Sequence, residues 1–210
     1  EKAGVMTLLF TAGLPGAFTG KNPLTGIDDI QGDKWRAGGK WLLRYLENAG
    51  ATPVSVPWGD VYVALQTGTI DGCFTNYDGL HLMKFDEVAP NLLISKELWY
   101  ATPFLHLISK RTFDGLSKEA QASLLKAAEE AEAQFGETYD AAFEQVKSEQ
   151  IEAGYTVTEM SSEDVLKWEN AEALAELQAE WIEEAEEAGL EGAAEIMERV
   201  SAIHQEAMAR

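Results

Sequence analysis

The chain has a single cysteine, Cys73, in 210 residues. No disulfide can close within it, and a lone thiol among apolar neighbours reads as a small buried hydrophobe. Basic residues are scarce, 16 against 36 acidic ones, for a formal net charge of −20. A surface of that sign repels the phosphates of nucleic acids and anionic lipids, so neither is expected as a partner. No apolar run approaches the roughly 20 residues that cross a bilayer as a helix. There is no Gly-x-Ser-x-Gly elbow, no phosphate-cradling Gly-rich loop with a lysine and no paired-cysteine motif, and His81, His106 and His204 fall in no metal-ligand spacing. Asp60 and Asp71 form the one carboxylate pair worth testing as an acid and a base, and they read better as a helix cap and a turn residue. No enzymatic activity, cofactor or metal is expected.

What remains is a globular composition, 46% hydrophobic and 10% aromatic, sufficient for one sizeable core or two small ones. The charge is unevenly placed: from Asp114 onward 25 acidic residues face 6 basic ones, which leaves a net charge of −1 on the first 113 residues. The periodicity divides at the same place. Strands are expected near Val5–Thr11, Lys34–Ala37, Thr52–Val56, Thr69–Thr75, Leu92–Ile94 and Phe104–Ser109, with helices near Lys40–Asn48 and Asp60–Thr67, a βαβα pattern. Gly13 to Asn22, with three glycines and a proline, reads as a loop. Beyond Phe113 the text turns helical. Ser117 caps a helix that Gly154 stops, Tyr155 to Met160 alternates like an edge strand, and Ser161 with Asp164 opens a helix that runs to Gly189 before a last one through Met208.

The most informative stretch runs from Ala51 to Gly72. A short strand meets Pro57, a helix opens behind Asp60, and Gly68 ends it before the next strand. In open α/β sheets ligands sit beyond the carboxyl ends of strands, which puts Trp58 to Asp60 at a site suited to a small anion. Arg36 lies on a strand end one helix upstream of the same crevice, and its planar fork of donors fits a carboxylate bidentately. Trp35, Trp41, Trp58, Phe74, Tyr77, Trp99 and Tyr100 supply aromatic surface nearby. Trp58 is placed in the crevice, with Phe74 and Tyr77 expected on the strand that follows.

These residues resemble the DctP-type substrate-binding subunit of tripartite ATP-independent periplasmic (TRAP) transporters. The likeness is carried by Asp29-Ile-Gln-Gly-Asp-Lys-Trp-Arg36, Gly50-Ala-Thr-Pro-Val54, Pro57-Trp-Gly-Asp-Val-Tyr-Val-Ala-Leu-Gln-Thr-Gly68 and Ile70-Asp-Gly72, and further on by Lys84-Phe-Asp-Glu-Val88 and Gly115-Leu-Ser-Lys-Glu-Ala-Gln121. The resemblance implies an α/β, two-lobed periplasmic binding-protein fold of type II character with long C-terminal helices. It also implies capture of an organic acid through its carboxylate and delivery to the membrane subunits of a TRAP permease. In such proteins the arginine matched by Arg36 pairs with the ligand carboxylate, and an aromatic at the position of Trp58 lines the pocket. An asparagine following the Asp-Gly pair completes the contact. Here the ungapped match falls on Thr75, with Asn76 one residue later. No leader precedes Val5 and the first-lobe strand-helix segment is not seen, so the chain is expected to be the middle and C-terminal part of such a protein. Residues 1–113 would then be mostly the second lobe with its crevice strands, and residues 114–210 a helical region packed across the lobes. The rival reading is an acidic helical interaction or structural protein with no small-molecule ligand.

Overall fold

The alternating first half assembles into two sheets of unequal size in a computed structural model, which describes residues 4–98 and 103–208. The larger sheet is built on a parallel βαβαβ run: β3 (Lys34–Arg36), α1 (Lys40–Asn48), β4 (Thr52–Val54), α2 (Val61–Thr67) and β5 (Gly72–Asn76). After β5 come two short helices, α3 (Tyr77–Leu82) and α4 (Phe85–Val88), and then β6 (Asn91–Ile94). Two further strands complete the sheet: β2 (Gly16–Gly20), antiparallel between β5 and β6, and β8 (Thr156–Glu159), parallel to β6. The strand order is therefore β4-β3-β5-β2-β6-β8. Pro53, which cannot donate to a ladder, sits on the edge strand β4. The smaller sheet pairs β1 (Val5–Ala12) with β7 (Pro103–Ser109) in antiparallel fashion.

A helical second half follows, with α5 (Lys110–Asp114), the long α6 (Lys118–Glu152), α7 (Ser162–Glu169), α8 (Ala171–Glu187) and α9 (Ala193–Met208). Ser117 and Ser161 cap their helices as expected, accepting from Ala120 N–H and Asp164 N–H. Gly154 and Gly189 take positive φ at the chain's exits from α6 and α8.

Four local readings change. Gly13 to Asn22 is not a loop throughout, because β2 lies within it as a fully buried central strand. Its glycine content reflects packing rather than turning: a Cβ on Gly16 would lie 2.7 Å from Cζ of Phe74. The helix that begins after Ser161 breaks at Asn170, whose φ is 36° and whose side chain caps α8. Asp60 makes no side-chain cap bond; a 3₁₀ turn over Trp58–Asp60 leads into α2 instead. Tyr77 opens α3 and is not on the strand with Phe74. Trp99 and Tyr100 lie outside the described residues.

Strand alternation divides the core between the two faces of the large sheet. Ala17, Cys73, Leu92 and Ile94 face α2, α3, α4 and Phe143 of α6. Phe18, Trp35, Phe74 and Leu93 face α1, the turn at Ile27–Ile30 and α7, where Trp168 packs edge-on to Phe18 at 5.0 Å. Trp35 fills the space over Gly72, where a Cβ would stand 2.4 Å from the indole. Gly72→Ala should therefore overpack the sheet and cost about 1–3 kcal/mol. Gly136, inside α6 with nothing within 4 Å of its would-be Cβ, behaves oppositely, and Gly136→Ala should add about 0.5–1 kcal/mol. Urea denaturation of both variants checks the opposite signs.

Candidate functional site

The end of β3 places Arg36 in register with Val54 of β4 and with Cys73 of β5. Registered partners in a parallel ladder share a face, so Arg36, Cys73 and Thr75 stand together while Trp35 and Phe74 point to the other side. Arg36 is only 6% exposed. Its Nε donates to the Val56 carbonyl at 3.1 Å, and its guanidinium carbon lies 5.3 Å from the ring centroid of Trp58. Among the described residues no carboxylate comes within ion-pair distance of it, and its buried Nη1 has no hydrogen-bond partner. A desolvated cation with a donor unspent is costly unless an anion arrives to pair with it.

Trp58 is 38% exposed and rests edge-on against Phe85 of α4, with centroids 5.0 Å apart and planes at 71°. Its indole is held between a buried phenyl ring and a cation, with part of its surface left open. Thr75 is buried and donates through Oγ1 to Oδ1 of Asn76 at 3.2 Å. Asn76 in turn donates to Asp78 Oδ1 at 2.6 Å, and the same oxygen accepts the Leu14 N–H at 2.8 Å. Gly13 and Gly79 make room for that amide, since a Cβ on either would lie within 2.8 Å of it. The corner after β5 is thereby tied to the segment that precedes β2.

The remaining candidates stand elsewhere. Phe74 packs against Phe18 at 4.5 Å and Trp168 at 4.8 Å, on the far face of the sheet from Arg36. A cavity of about 320 Å³ opens on that far face between α1, α8 and α9; among the described residues its lining holds Tyr45, Glu169, Gln178, Ser201 and His204 and no lysine or arginine. Tyr77 is fully buried against Phe143, its hydroxyl donating to Gln150. Asp71 is spent on structure, accepting the Lys34 N–H at 2.9 Å and so fastening β3 to β5. Among the described residues no cluster of His, Cys, Asp or Glu could hold a metal ion. Sequence reasoning missed the Val56 carbonyl and Phe85. The carbonyl carries no signal in side-chain identity, and Phe85 lies in a short helix whose four residues show no periodicity.

The chain belongs to the DctP family, bacterial extracellular solute-binding protein family 7, whose model matches residues 1–185. A solute-binding protein of Sulfitobacter sp. is 33% identical over 167 residues, 78% of this chain and 50% of that protein. The ectoine-binding periplasmic protein TeaA of Halomonas elongata is 32% identical over 157 residues, 70% of this chain and 43% of that protein. The chain thus spans about half the length of the curated relatives it matches. Among solved structures, apo TeaA superposes with a TM-score of 0.74 at 26% identity, over 96% of this chain and 64% of that one. A TRAP periplasmic solute-binding protein from Rhodoferax ferrireducens with bound malonate gives 0.77 at 24% identity, over 99% and 63%. The fold is the α/β, two-lobed one of TRAP periplasmic binding proteins.

Burial pushes the Cys73 thiol up to about 12, against the opposing pull of the Arg36 charge beside it. The thiolate is the reactive form, so folded protein at neutral pH should leave Cys73 unmodified by iodoacetamide and unfolded protein should be alkylated fully. Mass spectrometry with and without denaturant reads this directly.

Proposed function

We propose that this chain forms the carboxylate-anchoring part of a periplasmic solute-binding protein that captures an organic acid and delivers it to the membrane subunits of a TRAP permease. The observation that carries this reading is Arg36, buried, tethered through Nε, and without a carboxylate partner among the described residues. An incoming carboxylate would supply the missing anion, Trp58 would wall it, and Thr75, on the same face, would reach it by turning its hydroxyl proton from Asn76 Oδ1 to the ligand. Asn76 fixes the corner that holds Thr75. Phe74 and Tyr77 serve the two cores and have no part in the contact. Phe74 lies on the far face, and Tyr77, though on the Arg36 side of the sheet, is packed on Phe143 and bonded to Gln150, so the site asks for a carboxylate and does not require an aromatic body.

Solved neighbours lend support: their bound ligands include malonate, orotic acid, L-malate and β-D-galacturonate, all carboxylic acids. The periplasm is the proposed compartment, as in the names of several relatives. No helix among the described residues is long and apolar enough to cross a membrane. Against a free helical interaction arm stands the burial of Val165, Trp168 and Leu177, which seats α7 and α8 on the rest of the fold.

A thermal-shift screen of organic acids followed by calorimetry tests the assignment. Arg36→Ala should cost about 2–5 kcal/mol of binding, and Arg36→Lys should recover only part of it because the bidentate fork is lost. An Arg36→Ala protein binding within twofold of wild type would end the assignment.

A further inference from the structure

The long helix α6 packs against β1 of the small sheet and against α3 and β8 on the large one. Where it meets α3, the imidazole of His81 stands between two carboxylates: Nδ1 is 2.7 Å from Asp86 Oδ2 and Nε2 is 3.1 Å from Glu149 Oε2. A neutral imidazole carries one ring N–H, so one of its nitrogens would have to set a lone pair against an anionic oxygen. The imidazolium donates from both. Asp86 is 2% exposed, and its Oδ2 also accepts from Nε2 of the buried Gln150 at 2.8 Å. Gln150 Oε1 accepts from the Tyr77 hydroxyl. A continuous polar chain therefore links Tyr77, Gln150, Asp86, His81 and Glu149 across α3, α4 and α6. Lys84, the nearest basic residue in sequence, is engaged with Glu87. Among the described residues His81 is then the cation that answers the buried Asp86.

We propose that His81 is held as an imidazolium and that its charge is a proton-operated clamp fastening the C-terminal half of α6 to the α3–α4 corner. The groups facing the ring are Asp86 from α4 and Glu149 from α6. On its own helix, Asp78 is turned to Asn76 and Leu14, and the Tyr77 phenol reaches the chain only through Gln150. Glu144 of α6 is paired with Lys96. Partial burial disfavours the charged ring, but the two carboxylates outweigh it and the net displacement is upward. Glu149 is held below its usual range by the Gln145 amide and by His81. The sign of the linkage follows. A group whose folded value exceeds its unfolded one, about 6.5 for histidine, contributes fully below the unfolded value. That contribution is lost as pH rises through the folded value. The clamp is closed on the acid side and opens toward alkaline pH.

Nuclear magnetic resonance titration of the ring nitrogens, with hydrogen exchange of the 143–152 segment over the same pH series, tests this. His81 should show both nitrogens protonated at neutral pH and a midpoint above ~6.5. Protection factors across 143–152 should fall by up to about tenfold per pH unit as pH rises toward that midpoint, the dependence of one linked proton. Glu149→Gln should lower the midpoint, and His81→Gln should abolish the pH dependence of protection. If His81→Gln does not fold, the wild-type titration decides alone. A midpoint at or below ~6.5 would show a neutral ring and overturn the proposal, as would protection in 143–152 that does not follow the midpoint.

Discussion

A guanidinium taken out of water, with no carboxylate beside it among the described residues, is the constraint around which the large sheet is arranged. The charge of Arg36 is tolerable because its Nε reaches the Val56 carbonyl and the Trp58 ring covers one face. Both contacts require β3 and β4 to end side by side in fixed register. The register is fastened on the other flank, where the Asp71 carboxylate receives the Lys34 N–H and Trp35 lies flush over Gly72. Shifting β3 by one residue would exchange Arg36 for Trp35 on the crevice face and bury the charge in an aromatic cluster. Trp58 depends in turn on Phe85, which backs it from the adjoining α4.

The acidic half is attached to this neutral half mostly by apolar packing. Trp168 stands against Phe18, Phe74 and Tyr45, and Val165 is buried with them. Lys40 and Arg44 of α1 reach Glu180 and Glu184 of α8, and Lys167 reaches Asp28. These pairs are exposed, and such pairs contribute little each. Their value lies in orientation: Lys40 and Arg44 are spent where α8 crosses α1, and among the described residues no carboxylate claims Arg36 inside.

Much of this was legible in the residues. α1 runs over Lys40–Asn48 as its periodicity predicts. Ser117, Ser161, Gly68 and Gly154 mark real helix ends because caps and left-handed turns are local chemistry. Arg36 and Trp58 were found by placing strand ends in order, and the structure brings them together. β2 was hidden because its glycines answer to Phe74 and Leu24, residues far along the chain or across a turn, and local propensity carries no record of such contacts. The same applies to Phe74 and Tyr77. Their aromatic character was plain, but whether each faces Arg36 or a core depends on strand parity and on a strand that ends one residue before Tyr77. Asn170 divides a helix whose apolar spacing continues almost unbroken through it.

The central position of β2 bears on the order in which the protein can be made. Synthesis delivers Gly16–Gly20 early, yet its neighbours in the sheet are β5, which begins at Gly72, and β6, which begins at Asn91, while the outer β8 arrives only after all of α6. Until β5 is made, the strand that will carry Phe18 into one of the two cores has neither edge paired, and its second edge waits for β6. Contacts so distant in sequence close slowly, and an emerging chain with an unpaired apolar strand is prone to association. The feature that gives the larger sheet its middle therefore leaves an apolar strand waiting from Gly20 to Gly72 for its first partner, and a chaperone that shields residues 16–20 would cover a strand that the finished sheet buries.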